Sequence, residues 1–422
     1  MITEEIDLSG VANASPLTDV TVLDMTQALA GPLATLILAG LGANVIKIEN
    51  PGAGDSCRSS APYLGRNGAT LVRHFDDDVS LSALNRLRNK SAVTLNLKKP
   101  SGREIFTKML QKADVVIDNF SSGTMDRLGI GYDFCKSVNP RIICCSISGF
   151  GNEPGAGPGK AMDSIAQALS GLMYTSGNEG DPPVRVGVPF GDMIPPLFAV
   201  IGILTALHQR NATGRGQEVD ISMLGVLTNF VSAEPLELLE KCGVPQRTGM
   251  GVPRLAPFGL FPASDGYVAI CAPTEAFARS LFVAIGKPEM ITDPRFATRD
   301  LRVKNVTELD AILNEFIGKK TSQEIVDLLD AQGVPCAEVR TPAKAVRDPR
   351  VLARKEVVVI EHPVYGVTET VYGMGLPIRF SEAKTGFDRP SPGLGEHNHK
   401  LYGEWLGYSE DEIKEFEASG TI

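Results

Sequence analysis

Short β-rich runs alternate with punctuated, helix-forming stretches through the first half of this chain, and that alternation restricts its fold more than any other property. VTVLDM (20–25) is apolar and β-branched and ends at Thr26. GPLATLILAGLG (31–42) follows, with Pro32 placed for a first helical turn and Gly40 and Gly42 placed for a helix end. NVIKIE (44–49) is the next strand. Strand, helix and strand within about 30 residues make a βαβ unit. The pattern recurs in AVTLNL (92–97), a helix opened by a Ser101-x-x-Glu104 capping box, and DVVIDNF (114–120). RIICCSISGF (141–150) and EVDISML (218–224) add further strands. The expected class is α/β, a Rossmann-like doubly wound parallel sheet, with ligands where strand C-termini meet helix N-termini.

At 422 residues the chain exceeds what one core usually supports, so a second domain is expected. The long helical stretch 226–243 leads away from the sheet. FGLFPASDGYVAICAP (258–273) then reads as two strands about a Ser-Asp-Gly turn, and Thr321-x-x-Glu324 caps a helix ending before Gly333. EHPVYGVTETVYG (361–373) reads as a hairpin, and Ser409-x-x-Glu412 caps a terminal helix. The division is therefore 1–225 for the first part of the large domain, 226–339 for a linker and a smaller α+β domain, and 340–422 for a second linker and a segment returning to the large domain.

A net charge of −9 offers no basic field for nucleic acid, so an anionic ligand needs local donors. MITEEIDLSG has no basic region before an apolar one, so a cytoplasmic protein is expected. The apolar run 194–207 is shorter than the ~20 residues that span a bilayer, and no membrane partner is expected. Seven cysteines without a C-x-x-C pattern argue against a disulfide framework. His397-x-His399 lacks further ligands at suitable spacing, so no metal is expected. Gly40-x-Gly42 stands between a helix and the next strand, where it cannot cradle a pyrophosphate, so no nicotinamide cofactor is expected either.

Asp192 is the single carboxylate in VPFGDMIPP (188–196), ahead of an apolar run. One reading is a helix N-cap. The other is a desolvated carboxylate aimed into a cleft, as a carboxylate nucleophile requires. Both can hold together.

DMTQALAGPLATLILAGLGANVIKIENPGAGD, NKSAVTLNLKKPSG, ADVVIDNFSSGTMDRLGIGYD, GDMIPPLFAVIGILTALHQRNATGRGQEVDISML and PGLGEHN resemble the class III, formyl-CoA transferase-like CoA-transferases from about residue 16 onward. The resemblance implies that Asp192 is the nucleophile of an acyl-CoA to carboxylic acid transfer, through an aspartyl mixed anhydride and an aspartyl-CoA thioester. It implies an interlocked homodimer. It places oxyanion donors at Gly249 and Gly251 in RTGMGVP, a pair that reads equally as an ordinary turn. It places coenzyme A contacts at Gln27, Ala28 and Ala30, at Leu95 and Lys98, at Asn119, Phe120 and Ser121, at Arg127, and at Lys160, Met162 and Asp163.

An arginine of the formyl-CoA branch is replaced here by Asn50, for which Arg58 is the candidate substitute, and Leu29 stands where the oxalate enzyme has glutamine. Arg185 and Arg254 are candidates to grip a second carboxylate, and either reads equally as a surface residue. Phe150 stands where the related racemases have a proton-transferring histidine, so α-methylacyl-CoA racemisation is the first alternative. A non-catalytic CoA-binding subunit of a hetero-oligomer is the second.

Overall fold

The structure, a computed structural model, describes residues 15–152, 160–252 and 254–422. The opening segment MITEEIDLSG and Pro253 of RTGMGVP lie outside the described residues. Contacts divide the chain into two compact units, one comprising residues up to Ser170 with Gly187–Val231 and Val346–Ile422, the other Gly171–Val186 and Ser232–Ala345.

The first unit holds six parallel strands: β1 (Thr21–Asp24), β2 (Asn44–Glu49), β3 (Lys90–Thr94), β4 (Val115–Asp118), β5 (Ile143–Ser148) and β6 (Glu218–Ser222). Their order is β3-β2-β1-β4-β5-β6. The chain winds outward from β1 in one direction and from β4 in the other, so the crevice between the ends of β1 and β4 is the topological switch point, where α/β sheets bind ligands.

Helix α1 (Ala30–Gly40) is apolar on nearly every side and almost wholly buried. Gly42, just past its end, takes φ +101°, which suits glycine. Helix α2 (Pro100–Leu110) starts one residue before the expected box. Pro100 occupies its first turn and no side chain caps it, while the Ser101 hydroxyl turns to Thr421 Oγ1 at 2.8 Å. The boxes Thr321–Glu324 and Ser409–Glu412 form as expected.

Leu23, Ile46, Val93 and Val116 meet Ile105, Phe106 and Met109 of α2, together with Tyr402 and Ile413 of the returning C-terminal segment. Each such buried side chain contributes about 1.5–3 kcal/mol. The same segment closes the outer edge of β3: Tyr402 Oη donates to Thr94 O at 2.6 Å, Asn398 Oδ1 accepts from Thr94 N at 2.9 Å, and His397 N donates to Ala92 O at 2.9 Å. His397 and Asn398 of PGLGEHN thus satisfy an edge strand that would otherwise invite foreign pairing.

Helix α3 (Pro195–Thr213) lays Ala199, Val200, Ile203 and Ala206 inward and contacts α1, β5 and β6. With the preceding turn it gives a stretch, Phe190–Thr213, of 24 residues whose most apolar 18-residue window has a mean hydropathy of 1.8, long and apolar enough to cross a membrane by length and composition. It is longer than the run read from the sequence because polar residues extend the helix to Thr213. Its contacts are those of a core helix covering a sheet.

The second unit has its own core, built on an antiparallel sheet of Phe258–Ala263, Gly266–Cys271 and Cys336–Glu338. Helices Glu275–Ala284, Val306–Ile317 and Ser322–Asp330 contribute Leu281, Leu313 and Ile325 to it.

Candidate active site

The site stands on buried charges. Asp24, the last residue of β1, is fully buried; its carboxylate accepts from Thr26 N, Thr26 Oγ1 and Thr35 Oγ1 and lies 3.0 Å from Lys90 Nζ and 3.7 Å from Lys47 Nζ. Burial alone would raise its pKa, but the two ammonium groups outweigh that and hold it far below the usual carboxylate range. This explains why β3 begins at Lys90, earlier than the apolar pattern suggests. The lysine is satisfied internally.

Lys47 also pairs with Asp55 at 2.9 Å. Asp55 Oδ1 accepts from Ala28 N and from Cys57 N, each at 2.9 Å. Above it the loop after β1 is held from three directions. Asn119, just past β4, accepts from Gln27 N at 2.7 Å and donates to Gln27 O at 2.9 Å; Asp55 holds Ala28 N; Arg86 Nη1 donates to Ala28 O at 2.9 Å. Ala28 has φ +64°, a left-handed conformation that costs an alanine about 1–2 kcal/mol and persists because its surroundings dictate it. Gly31 lets α1 press against Thr26, since a Cβ there would stand 2.2 Å from the Thr26 Cβ. No side chain caps α1, and Pro32 in its first turn brings no N–H, which leaves Ala30 and Gly31 as that turn's first donors.

At the switch point is a cavity of ≈ 750 Å³, lined by residues 27–30, 119–122, 147–151 and 161–164 together with Asp192. It joins Gln27, Ala28, Leu29 and Ala30 after β1, Asn119, Phe120 and Ser121 after β4, and Phe150, Met162, Asp163 and Asp192. Among its described lining residues there is no histidine.

Asp192 lies in the short helical turn Phe190–Met193 and is not a cap. Pro189 precedes that turn, Ile194 precedes α3, and neither helix has a side-chain cap. The physical reason is that Pro195 and Pro196 open α3 without N–H groups, removing two of the donors a cap would serve. Asp192 is half-buried, and no hydrogen-bond donor among the described residues reaches its carboxylate. Burial pushes its pKa up to about 6, with the Asp163 carboxylate adding to the push and Arg86 opposing it. Asp163 Oδ1 accepts from Gly191 N at 2.9 Å and from Gln167 Nε2 at 2.8 Å, and so fixes the backbone one residue before Asp192. A Cβ on Gly191 would stand 2.9 Å from Asp163 O.

Other expected residues lie elsewhere. Leu95 is buried in the core of the first unit, and Lys98, Arg127 and Lys160 are exposed and do not line this cavity. Arg127 donates to Thr124 Oγ1 at 2.7 Å. Arg58, the candidate substitute for an arginine at Asn50, donates to Glu49 through two 2.7 Å bonds and to Pro392 O. Gly249, Gly251, Arg185 and Arg254 belong to the second unit. There Gly249 N donates to Gly177 O at 3.0 Å and Gly251 N to Thr248 O at 3.2 Å, so an oxyanion role requires those bonds to be exchanged. Arg254 pairs with both oxygens of Glu234, at 2.8 and 2.7 Å. Sequence reasoning missed Arg86, Asp55 and Gly191. The one available signal was Asp55 ahead of a short helical turn, where its carboxylate accepts from Cys57 N.

The profile of CoA-transferase family III matches residues 17–398. The chain is 33% identical over 409 residues to succinyl-CoA–D-citramalate CoA-transferase of Chloroflexus aurantiacus, covering 96% of this chain and 98% of that protein. It is 32% identical over 415 residues to succinyl-CoA:glutarate CoA-transferase of Homo sapiens, covering 98% and 91% respectively. A solved structure of a CAIB/BAIF family protein from Brucella suis superposes with a TM-score of 0.78 at 31% identity, covering 93% of this chain and all of that one (100%).

Proposed function

This chain belongs to CoA-transferase family III, and from that premise we propose that it moves CoA from succinyl-CoA to a dicarboxylic acid with Asp192 as the covalent acceptor. The observation that carries the reading is Asp192 itself: a half-buried carboxylate without a hydrogen-bonded donor, lining a cavity at the switch point of a doubly wound sheet. The named relatives that use succinyl-CoA support the donor.

The steps balance without an external co-reactant. An Asp192 oxygen attacks the thioester carbonyl, the C–S bond breaks, and CoA leaves as thiolate beside an aspartyl mixed anhydride. The thiolate attacks the Asp192 carbonyl carbon and releases the donor carboxylate, leaving an aspartyl-CoA thioester. The acceptor carboxylate attacks that thioester, and the thiolate returns to the new acyl group, freeing Asp192. One difficult exchange between two acids is thus divided into steps of similar free energy. Each tetrahedral intermediate places charge on oxygen. The N–H groups of Ala30 and Gly31 in the uncapped first turn of α1 are proposed as its donors, and residues 27–30 and 119–121 are proposed to hold the thioester end of CoA.

Hydroxylamine added during turnover should convert Asp192 to a hydroxamate, identified by peptide mass spectrometry, and Asp192→Ala should abolish exchange while CoA still binds. Turnover by Asp192→Ala would refute the assignment. Exposed Leu197, Ile201 and Phe230 on the first unit support an interlocked homodimer. Light scattering that gives a stable monomer would count against it.

A further inference from the structure

We propose that Arg86 receives the second carboxylate of the acid substrate beside Asp192 and so selects dicarboxylic over monocarboxylic acids, an inference that rests on the transferase reading above. Arg86 ends the helix Leu81–Arg86; it does not itself line the cavity that holds Asp192, but its Nη1 donates at 2.9 Å to the carbonyl of Ala28, which does, and so stands one hydrogen bond from that wall. That bond uses one of five guanidinium N–H donors. Among the described residues no carboxylate stands within ion-pair distance of Arg86.

The neighbouring cations differ in this respect. Arg58 is committed to Glu49, Lys47 to Asp55, and Lys90 to Asp24. Arg88 donates to Asn85 Oδ1 and Met374 O and stacks on Phe387. Arg86 is half-buried, and burial lowers its pKa against the opposing influence of Cys57, Asp55 and Asp192. Of those three, Cys57 is kept a neutral thiol, pushed up to about 12 by burial, and Asp55 is paired with Lys47. Asp192, the third, has no ion-pair partner among the described residues.

The chemistry gives that arrangement a use. Two carboxylates, Asp163 and Asp192, line the cavity that an anionic acid must enter, and their repulsion needs a local cation to offset it. A guanidinium with donors to spare matches a carboxylate in bidentate geometry, which an ammonium does not. A monocarboxylic acid spends its only carboxylate on the thioester carbon. A dicarboxylic acid has a second one for Arg86. Of the two candidates read from sequence, Arg254 is paired with Glu234, and Arg185 belongs, like it, to the second unit.

The test compares glutarate with butyrate as acceptors from succinyl-CoA, in the wild type, Arg86→Gln and Arg86→Lys, over a pH series. The expected result, read at about pH 8 or above where Asp192 is ionised with or without Arg86, is a rise of about tenfold or more in the KM for glutarate relative to that for butyrate in Arg86→Gln, with partial recovery in Arg86→Lys. An equal loss on both acids, with the acid limb of kcat/KM displaced upward, would show that Arg86 acts only through the charge of Asp192 and would overturn the proposal. Arg86→Lys keeps a donor for Ala28 O, so if Arg86→Gln does not fold the lysine variant decides: loss confined to glutarate supports the proposal, and unchanged selectivity overturns it. If the wild type transfers CoA to neither acid, nor to any member of a wider acid panel, the transferase reading fails and this one with it.

Discussion

Asp192→Asn separates the protonation of Asp192 from everything else in the site, because it keeps the shape of the side chain and removes its charge. The structure raises this carboxyl from an ordinary 3.8 to about 6. A nucleophile with that value is about nine-tenths ionised at pH 7 and about one-tenth ionised at pH 5, so kcat/KM should fall roughly tenfold between those values. An unperturbed aspartate would stay more than ~90% ionised at pH 5 and leave the profile flat there. The same shift has a consequence for stability. A raised folded-state value means that the native protein holds a proton that the unfolded chain has released between pH 3.8 and about 6. Ionised Asp192 therefore destabilises the fold, and the penalty is complete above about pH 6 and absent below about pH 4. At face value the shift is worth ~3 kcal/mol; screening at a half-buried group reduces this to on the order of 1 kcal/mol. Asp192→Asn should accordingly show no exchange, yet unfold in urea about 1 kcal/mol later than the wild type at pH 8 and at the same point near pH 4. An acid limb below pH 4.5 in the wild type, or a variant less stable at pH 8, would refute the account of this carboxylate.

Asp24→Ala leaves Lys90 and Lys47 buried without their shared carboxylate, and it should cost about 3–5 kcal/mol in urea unfolding at pH 7; a loss below ~1 kcal/mol would show that water reaches the pair. Gly191→Ala drives a Cβ against the Asp163 backbone, and it should lower kcat by about tenfold or more with the affinity for free CoA unchanged by calorimetry. Tyr402→Phe removes the 2.6 Å bond to Thr94 O in a fully buried setting, with an expected loss of about 1–3 kcal/mol and faster amide exchange along Lys90–Thr94.

The parallel sheet was legible because its strands and helices carry different periods, and because glycine and proline mark where one gives way to the other. VTVLDM, NVIKIE and DVVIDNF are strands in the structure. Local chemistry misled where two residues compete for one role. Ser101-x-x-Glu104 has the letters of a capping box, yet Pro100 begins that helix and the Ser101 hydroxyl is drawn to Thr421. Lys90 was unreadable as a strand residue because its partner, Asp24, is distant in sequence and reaches it only through the pairing of β1, β2 and β3. Arg86 was unreadable for a related reason: nothing in NRLRNK distinguishes the arginine aimed at Ala28 O from the one packed on Phe387.

The correction at Asp192 bears on why the site can work. A cap bond gives a carboxylate a backbone N–H partner at the second or third helical residue, lowers its pKa and ties up the oxygen that must attack. Cap and nucleophile are therefore opposed uses of one side chain, and the two prolines that follow settle the contest. Pro195 and Pro196 start α3 with φ already set and without donors, so that helix forms without calling on Asp192. The bond that does anchor the segment falls instead on Gly191 N, through Asp163. Backbone position is thus fixed one residue away while the carboxylate keeps its lone pairs. A Pro195→Ala substitution restores an unsatisfied N–H at the start of α3, and if this argument holds it should draw the Asp192 side chain toward the helix. The acid limb of kcat/KM would then move below about pH 6 and the maximal rate would fall, with the affinity for free CoA unchanged. An unaltered pH profile would show that the prolines serve only the helix.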